Sequence, residues 1–103
     1  MSDITFTHEP EAKRYALRRG NAVVSVLEYR DDGTSIALTR AFTIPTHRGH
    51  GYAAEVVARA VDAIEQDGTR TILPVCWYVA DWFAAHPEHA PVLHESERAR
   101  FTA

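Results

Sequence analysis

The sequence "IPTHRGHGYAAEVVARAVD", residues 44–62, places a glycine-rich segment directly between an apolar strand pattern and a helical pattern. The preceding stretch 34–44, "TSIALTRAFTI", is typical of a long strand. After the glycines, apolar residues recur at i, i+3, i+4, i+7 and i+11, which predicts an amphipathic helix over 51–66. The residues of this stripe are Ala53, Val56, Val57, Ala60 and Ile64.

The other elements follow from similar patterns. Strands are expected at 4–8, 14–20 and 22–30, and "DDG" at 31–33 favours a hairpin turn into 34–44. Gly68 is expected to cap the helix in a left-handed conformation, before a strand at 69–75 and a helix at 76–86 that ends at Pro87. Residues 95–103 are expected to be a frayed polar tail. The predicted class is α+β: an antiparallel meander, then helix, strand and helix, with the helices packed on a mixed sheet.

Arg40 interrupts the apolar row of the strand at 34–44, in which Ile36, Leu38, Phe42 and Ile44 would share one side. Two explanations remain open. Arg40 extends to solvent from the edge of the sheet, or a β-bulge near Thr39 and Arg40 shifts the alternation.

The composition of the chain limits its class. Its 103 residues form a single domain, with 46% hydrophobic and 24% charged residues, as in ordinary soluble proteins. No stretch approaches the ~20 apolar residues of a membrane span, and the N-terminus lacks a leader pattern. Cys76 is the only cysteine, so an internal disulfide is excluded, and we expect a cytoplasmic protein. A net charge of -3 argues against general nucleic-acid binding.

The glycine-rich segment has several possible meanings. No lysine follows the glycines, so the phosphate-binding loop of nucleotidases is excluded. "GHGYAA", 49–54, fits a relaxed dinucleotide fingerprint, but it follows a meander and no acidic residue stands in the region "RTILPV". A third interpretation is a structural turn with Arg48 on the surface. The fourth is that loop amides and the positive end of the helix bind an anion.

"RGHGYA", 48–53, also matches R-x-x-G-x-A in full, and in this context it resembles motif A of the GNAT superfamily of acyl-CoA-dependent N-acyltransferases. The stretches "CWYV" and "HPEHAPVL", together with Pro74–Val75–Cys76, are similar to the small single-domain YjdJ-type members. The resemblance extends from about residue 39 to residue 93. It implies a minimal GNAT fold that binds coenzyme A or acetyl-CoA.

The resemblance also implies a division of the site. The pantetheine arm of the coenzyme would lie between the strand ending at Thr43–Ile44 and the strand at 70–75, bonded to backbone near Ile44. The loop would carry the pyrophosphate, with Arg48 as either a phosphate contact or a structural brace. The loop residues are Arg48, Gly49, His50, Gly51, Tyr52 and Ala53.

The resemblance implies that Cys76 lies near the thioester of the coenzyme, and we expect Cys76 to be catalytic. A helix N-terminus favours the thiolate, so Cys76 would either accept the acyl group or take a proton from the attacking amine. The alternative is a small apolar core residue. Val79 and Phe83, on the same helix face, are expected to pack the core or the coenzyme.

The predicted activity is acetyl transfer to an unidentified amine, either a small molecule or a protein. The alternative is a non-catalytic acyl-CoA-binding or regulatory module. Ala41–Phe42 favours this alternative, because many subfamily members carry His-Thr there. No metal site is expected, because Pro87 separates His86 from His89 and no ligand spacing is present.

Overall fold

The computed structural model describes residues 3–101 and confirms the α+β order. The ends of the strands and of the two longer helices agree with the predictions to within two residues. The strands form one sheet in the order β1-β2-β3-β4-β5, antiparallel except for the parallel β4–β5 pair. The strands are β1 Ile4–Glu9, β2 Arg14–Arg19, β3 Ala22–Asp31, β4 Ser35–Thr43 and β5 Thr71–Pro74, and the helices are α1 Tyr52–Asp67, α2 Trp77–Ala85 and α3 Glu95–Arg98.

The helices α1 and α2 cover one face of the sheet and bury a common apolar core with it. The predicted stripe of α1 is buried from Val56 to Ile64, whereas Ala53 at its N-terminal end is only partly buried. Gly68 ends α1 as expected, with φ of 74° and its N–H bonded to the Ile64 carbonyl. No helix within residues 3–101 combines the length and apolar character needed to cross a membrane.

A β-bulge resolves the position of Arg40. Glu28 pairs with Arg40 and Tyr29 pairs with Leu38, so Thr39 is an extra residue in β4. The bulge shifts the alternation, so Ala41 packs against the core and the Arg40 guanidinium lies 4.8 Å from the centre of the Phe42 ring, on the opposite face. The predicted row that joined Phe42 to Leu38 is therefore wrong, because one extra residue reverses the facing of every residue after it.

Strand β5 pairs along its whole length with only the first half of β4. The parallel register runs from Ser35 opposite Thr71 to Leu38 opposite Pro74. The N–H of Cys76 then donates to the Leu38 carbonyl at 2.9 Å. Proline has no N–H to extend a ladder, and β5 ends there while β4 continues to Thr43. The second half of β4 therefore has no strand beside it on this side within residues 3–101.

The C-terminal segment is folded where we expected a frayed tail. A 3₁₀ turn at Pro87–Val92 precedes α3, and the N–H of His94 donates to the Ile72 carbonyl of β5 at 2.9 Å. Phe101 is only 9% exposed, with its ring 6.1 Å from that of Phe83. The expectation was wrong over residues 95–101 because a single aromatic anchor produces no periodic pattern, and residues 102–103 lie outside the described part of the chain.

Candidate functional site

An open depression of about 320 Å³ lies where β4 ends and α1 begins. It contains six of the nine residues that the sequence nominated for the site, together with three that it did not nominate. The lining residues are Ala41, Phe42, Thr43, His47, Arg48, Gly49, Gly51, Tyr52 and Ala53. Of the nominated residues, Ile44, His50 and Cys76 do not line it.

Two glycines give the loop its path. Gly49 has φ of 89° and Gly51 has φ of 76°, both in the left-handed region that favours glycine. A Cβ built at either position would meet no atom within 4 Å, so backbone conformation and not crowding requires glycine there. The loop surface is therefore bare backbone beside open space, where a ligand can approach closely.

The first amides of α1 belong to residues that line this depression, and they have no helical partners. The first helical bond in α1 joins the Glu55 N–H to the Gly51 carbonyl at 3.0 Å. The N–H groups of Tyr52 and Ala53 precede it and have no carbonyl within the helix to bind. Gly51 supplies no side chain to cap them. These donors, together with the positive end of the helix dipole, favour an anion.

The Arg48 side chain extends back to the end of β4. Its Nε lies 3.4 Å from the Thr43 carbonyl, and its guanidinium carbon lies 5.9 Å from the centre of the Phe42 ring. In this conformation Arg48 braces the loop against the strand. It is exposed, so its flexible side chain is also able to reach an anion in the depression.

Three aromatic rings line up beside the loop. The Tyr52 ring centre lies 5.5 Å from that of His50 and 6.4 Å from that of His47. His47, which the sequence analysis missed, follows Pro45 in a 3₁₀ turn and lines the depression. Its only sequence signal was its place two residues before the first glycine.

The backbone of Ile44 is already engaged. Its N–H donates to the Val24 carbonyl at 2.9 Å, and its carbonyl accepts from the His47 N–H at 2.8 Å. Successive residues of a strand direct their backbone groups to opposite sides, so those of Thr43 and Ala41 point toward the unpaired side of β4. Thr43 was nominated from the sequence and Ala41 was not. The bulge determines which residues of β4 direct their backbone groups to the unpaired side, and the sequence did not show it.

Cys76 lies where β4 and β5 separate, immediately before α2. Its N–H contacts Leu38 in β4, and its carbonyl accepts the first helical bond, from the Ala80 N–H at 3.0 Å. Its side chain is partly buried against the core. Val79 and Phe83, which share its helix face, are fully buried in the core, which is one of the two packing roles predicted for them.

The histidines near the C-terminus make structural contacts. The His86 ring stacks on Trp82 with centres 4.2 Å apart, and His89 Nδ1 lies 2.8 Å from Glu65 Oε2. Across residues 3–101, no group of three or more His, Cys, Asp or Glu side chains is arranged to hold a metal ion.

Comparison with known proteins identifies the family. The sequence model described as GCN5-related N-acetyl-transferase matches residues 14–92, which include the whole sheet except β1 together with α1 and α2. No curated protein matches the chain. The family match covers both the glycine loop and Cys76, and the chain belongs to the GCN5-related N-acetyltransferase family.

Proposed function

We propose that this protein binds acetyl-CoA and transfers its acetyl group to an amine. Family membership supports acyl transfer as the general class of activity. The observation that carries the specific proposal is the glycine loop, with its uncapped amides, beside the unpaired half of β4. The diphosphate of the coenzyme would bind the N–H groups from Gly49 to Ala53, where the helix dipole favours negative charge.

The unpaired edge of β4 suits the pantetheine arm. This arm contains two amide groups, which can bond the backbone of Thr43 and Ala41 as a neighbouring strand would. From Thr43 back to Leu38 the strand covers roughly 13–16 Å. About twelve bonds separate the phosphate oxygen from the thioester sulfur, roughly 14 Å when extended. A diphosphate at the loop would therefore bring the thioester to the level of Leu38 and Cys76.

The reaction requires a neutral amine. Its nitrogen attacks the thioester carbonyl carbon, a C–N bond forms, the C–S bond breaks, and the thiolate of coenzyme A leaves. The amine gives up one proton to a base or a water chain, and the departing thiolate takes up one proton. Cys76 is our candidate for that base, or for a nucleophile that carries the acetyl group between two such transfers. Glu55 is less suited, because its carboxylate lies 2.8 Å from Arg59 on the same helix.

We further propose that the chain belongs to the small single-domain subfamily. Strand β5 ends at Pro74 and α2 begins directly after Cys76, as the stretch shared with that group implies. The "HPEHAPVL" stretch forms the 3₁₀ turn that leads back to β5.

Titration with coenzyme A, monitored by backbone amide chemical shifts, tests the binding step. Shifts concentrated at residues 38–43, 48–53 and 76 support the proposal, and shifts confined to other parts of the chain contradict it. Incubation with acetyl-CoA and an amine panel then tests transfer. Binding without transfer would favour the alternative, a non-catalytic module. The absence of a histidine at Ala41–Phe42 also supports that alternative. No binding at all would leave only the fold in common with the family.

A further inference from the structure

Two large apolar side chains are strongly exposed in the described part of the chain, and they flank Cys76. Val75 is 63% exposed and Trp77 is 74% exposed. Their Cα atoms each lie about 3.8 Å from that of Cys76, because they are its chain neighbours. Contiguous exposed apolar surface is a mark of an interaction site.

These side chains border a second open depression, of about 510 Å³, on the outer side of β5. Asp81 is four residues after Trp77 in α2, so both lie on the same side of that helix. Leu73 of β5 also lines it, and so do Glu97 of α3 and Arg100, which follows α3; these two residues form what we call the opposite wall. We call the area of Leu73, Val75, Trp77 and Asp81 the β5–α2 surface.

The free charge on the β5–α2 surface is negative. Asp81 is exposed, and within residues 3–101 nothing forms an ion pair or hydrogen bond with its carboxylate. On the opposite wall, Glu97 and Arg100 neutralise each other at 2.6 Å. A complementary partner therefore combines apolar contact for Trp77 with a positive charge for Asp81.

Trp77 presents a large apolar area, 74% exposed, directly beside Cys76. An isolated amine at Cys76 would leave the Trp77 indole in water, whereas a protein segment would cover it. Tryptophan buries roughly 150–250 Å² and is enriched among the residues that dominate protein interfaces.

We propose that the β5–α2 surface docks a segment of another protein that carries the acceptor lysine, an adjacent apolar residue and a second basic residue. This inference rests on the proposed acetyl transfer and narrows the acceptor to a protein amine. Trp77 and Val75 contact the apolar residue, Asp81 contacts the second basic residue, and the acceptor nitrogen lies beside Cys76.

The experiment compares three amines with acetyl-CoA: Nα-acetyl-lysine methylamide, a blocked nine-residue peptide with lysine between leucine and arginine, and the same peptide with serine and glutamate in those two places. We expect the leucine–arginine peptide to have the lowest KM. W77A should raise that KM about tenfold and leave the KM of the small amine within about twofold. D81R should act similarly, and the D62R substitution, on an exposed carboxylate of α1, serves as its control.

The outcomes separate the two proposals. Equal effects of W77A on all three amines, or no effect on any, would overturn the docking surface. A dimer that W77A converts to a monomer would assign the surface to a second copy of the chain and overturn the proposal. If the wild type transfers acetyl to none of the amines, the proposed function fails. Binding of the labelled peptide to the CoA-saturated protein, lost in D81R but not in D62R, would then still support the docking surface, and the absence of such binding would overturn it.

Discussion

The Cys76 N–H donates to the Leu38 carbonyl at 2.9 Å, and this bond is the last link between β4 and β5. Beyond it β4 continues toward the glycine loop paired only with β3, while the chain after Cys76 turns into α2. One residue thus marks both the end of the paired region and the start of the unpaired edge. Any group that binds along that edge from the loop is directed to Cys76.

The loop glycines provide the first prediction. G51A places a Cβ on a residue with φ of 76°, which should reduce the free energy of unfolding by about 1–2 kcal/mol. It should also weaken coenzyme A binding at least about tenfold, because relaxation of the strained turn redirects the amides of α1. Isothermal titration and denaturant unfolding measure the two effects.

G20A is the matched control for that substitution. Gly20 has φ of 60° in the turn between β2 and β3, again with no atom within 4 Å of a built Cβ. It should lose similar stability and keep its affinity for coenzyme A. Equal loss of affinity in both variants would show that stability, and not loop geometry, determines binding.

Substitution of Cys76 separates its possible roles. C76A should reduce kcat at least about a hundredfold if the thiol acts as base or nucleophile, with little change in coenzyme affinity. C76S replaces the thiol with a hydroxyl of similar size and controls for packing. Mass spectrometry of the wild type with acetyl-CoA alone distinguishes the roles, since an added acetyl group on Cys76 indicates a nucleophile. Unchanged turnover in C76A would remove Cys76 from the mechanism.

The C-terminal anchor has a measurable energy. F101A removes a ring that is 9% exposed and packs near Phe83, so it should cost about 3 kcal/mol or slightly less. Hydrogen exchange should increase at His94, whose N–H binds β5 at Ile72. R100A removes a guanidinium 5.1 Å from the Phe101 ring and an exposed ion pair with Glu97, and should cost less than about 1 kcal/mol. A neutral F101A would mean that the segment contributes nothing to the core.

Glu9 gives the protein an acid-sensitive contact on the face of the sheet opposite the helices. Hydrogen bonds from the Thr7 hydroxyl, at 2.6 Å, and from the Arg14 and Arg18 guanidinium groups lower the Glu9 pKa from 4.5 to about 2. Because the folded pKa lies below the unfolded one, the contribution to stability is complete above about pH 4.5. It is lost as the pH falls toward 2.

The E9Q variant should therefore be less stable than the wild type by about 1 kcal/mol at pH 7, with the difference shrinking below pH 4. Urea unfolding at several pH values measures it. E11Q, on the exposed turn that follows β1, should show no comparable change with pH. A difference between E9Q and the wild type that stays constant from pH 7 to pH 2.5 would exclude this carboxylate as the source.

The sequence by itself determined the order of the strands and helices and the positions of the loop glycines. It also singled out Cys76 as the candidate catalytic residue. These follow from local physics: alternation for strands, a 3.6-residue stripe for α1, and backbone conformations that only glycine adopts readily. The family motif at 48–53 is likewise contiguous, so it can be read without knowing what lies beside it. The candidate site residues that follow one another along the chain, as in the glycine loop, were therefore predictable.

Only the tertiary structure decided how β4 faces its neighbours. The bulge at Thr39 depends on the pairing of Glu28 with Arg40, twelve residues apart, and it moves Phe42 from the core row to the opposite face. In the same pairing of β3 with β4, the N–H of Ile44 bonds to the Val24 carbonyl. The backbone groups of Thr43 and Ala41 therefore point toward the unpaired edge. The anchoring of Phe101 on Phe83 also joins segments distant in sequence. Sequence periodicity records what each residue prefers locally, whereas these contacts arise from the register between separate segments, which no single segment encodes.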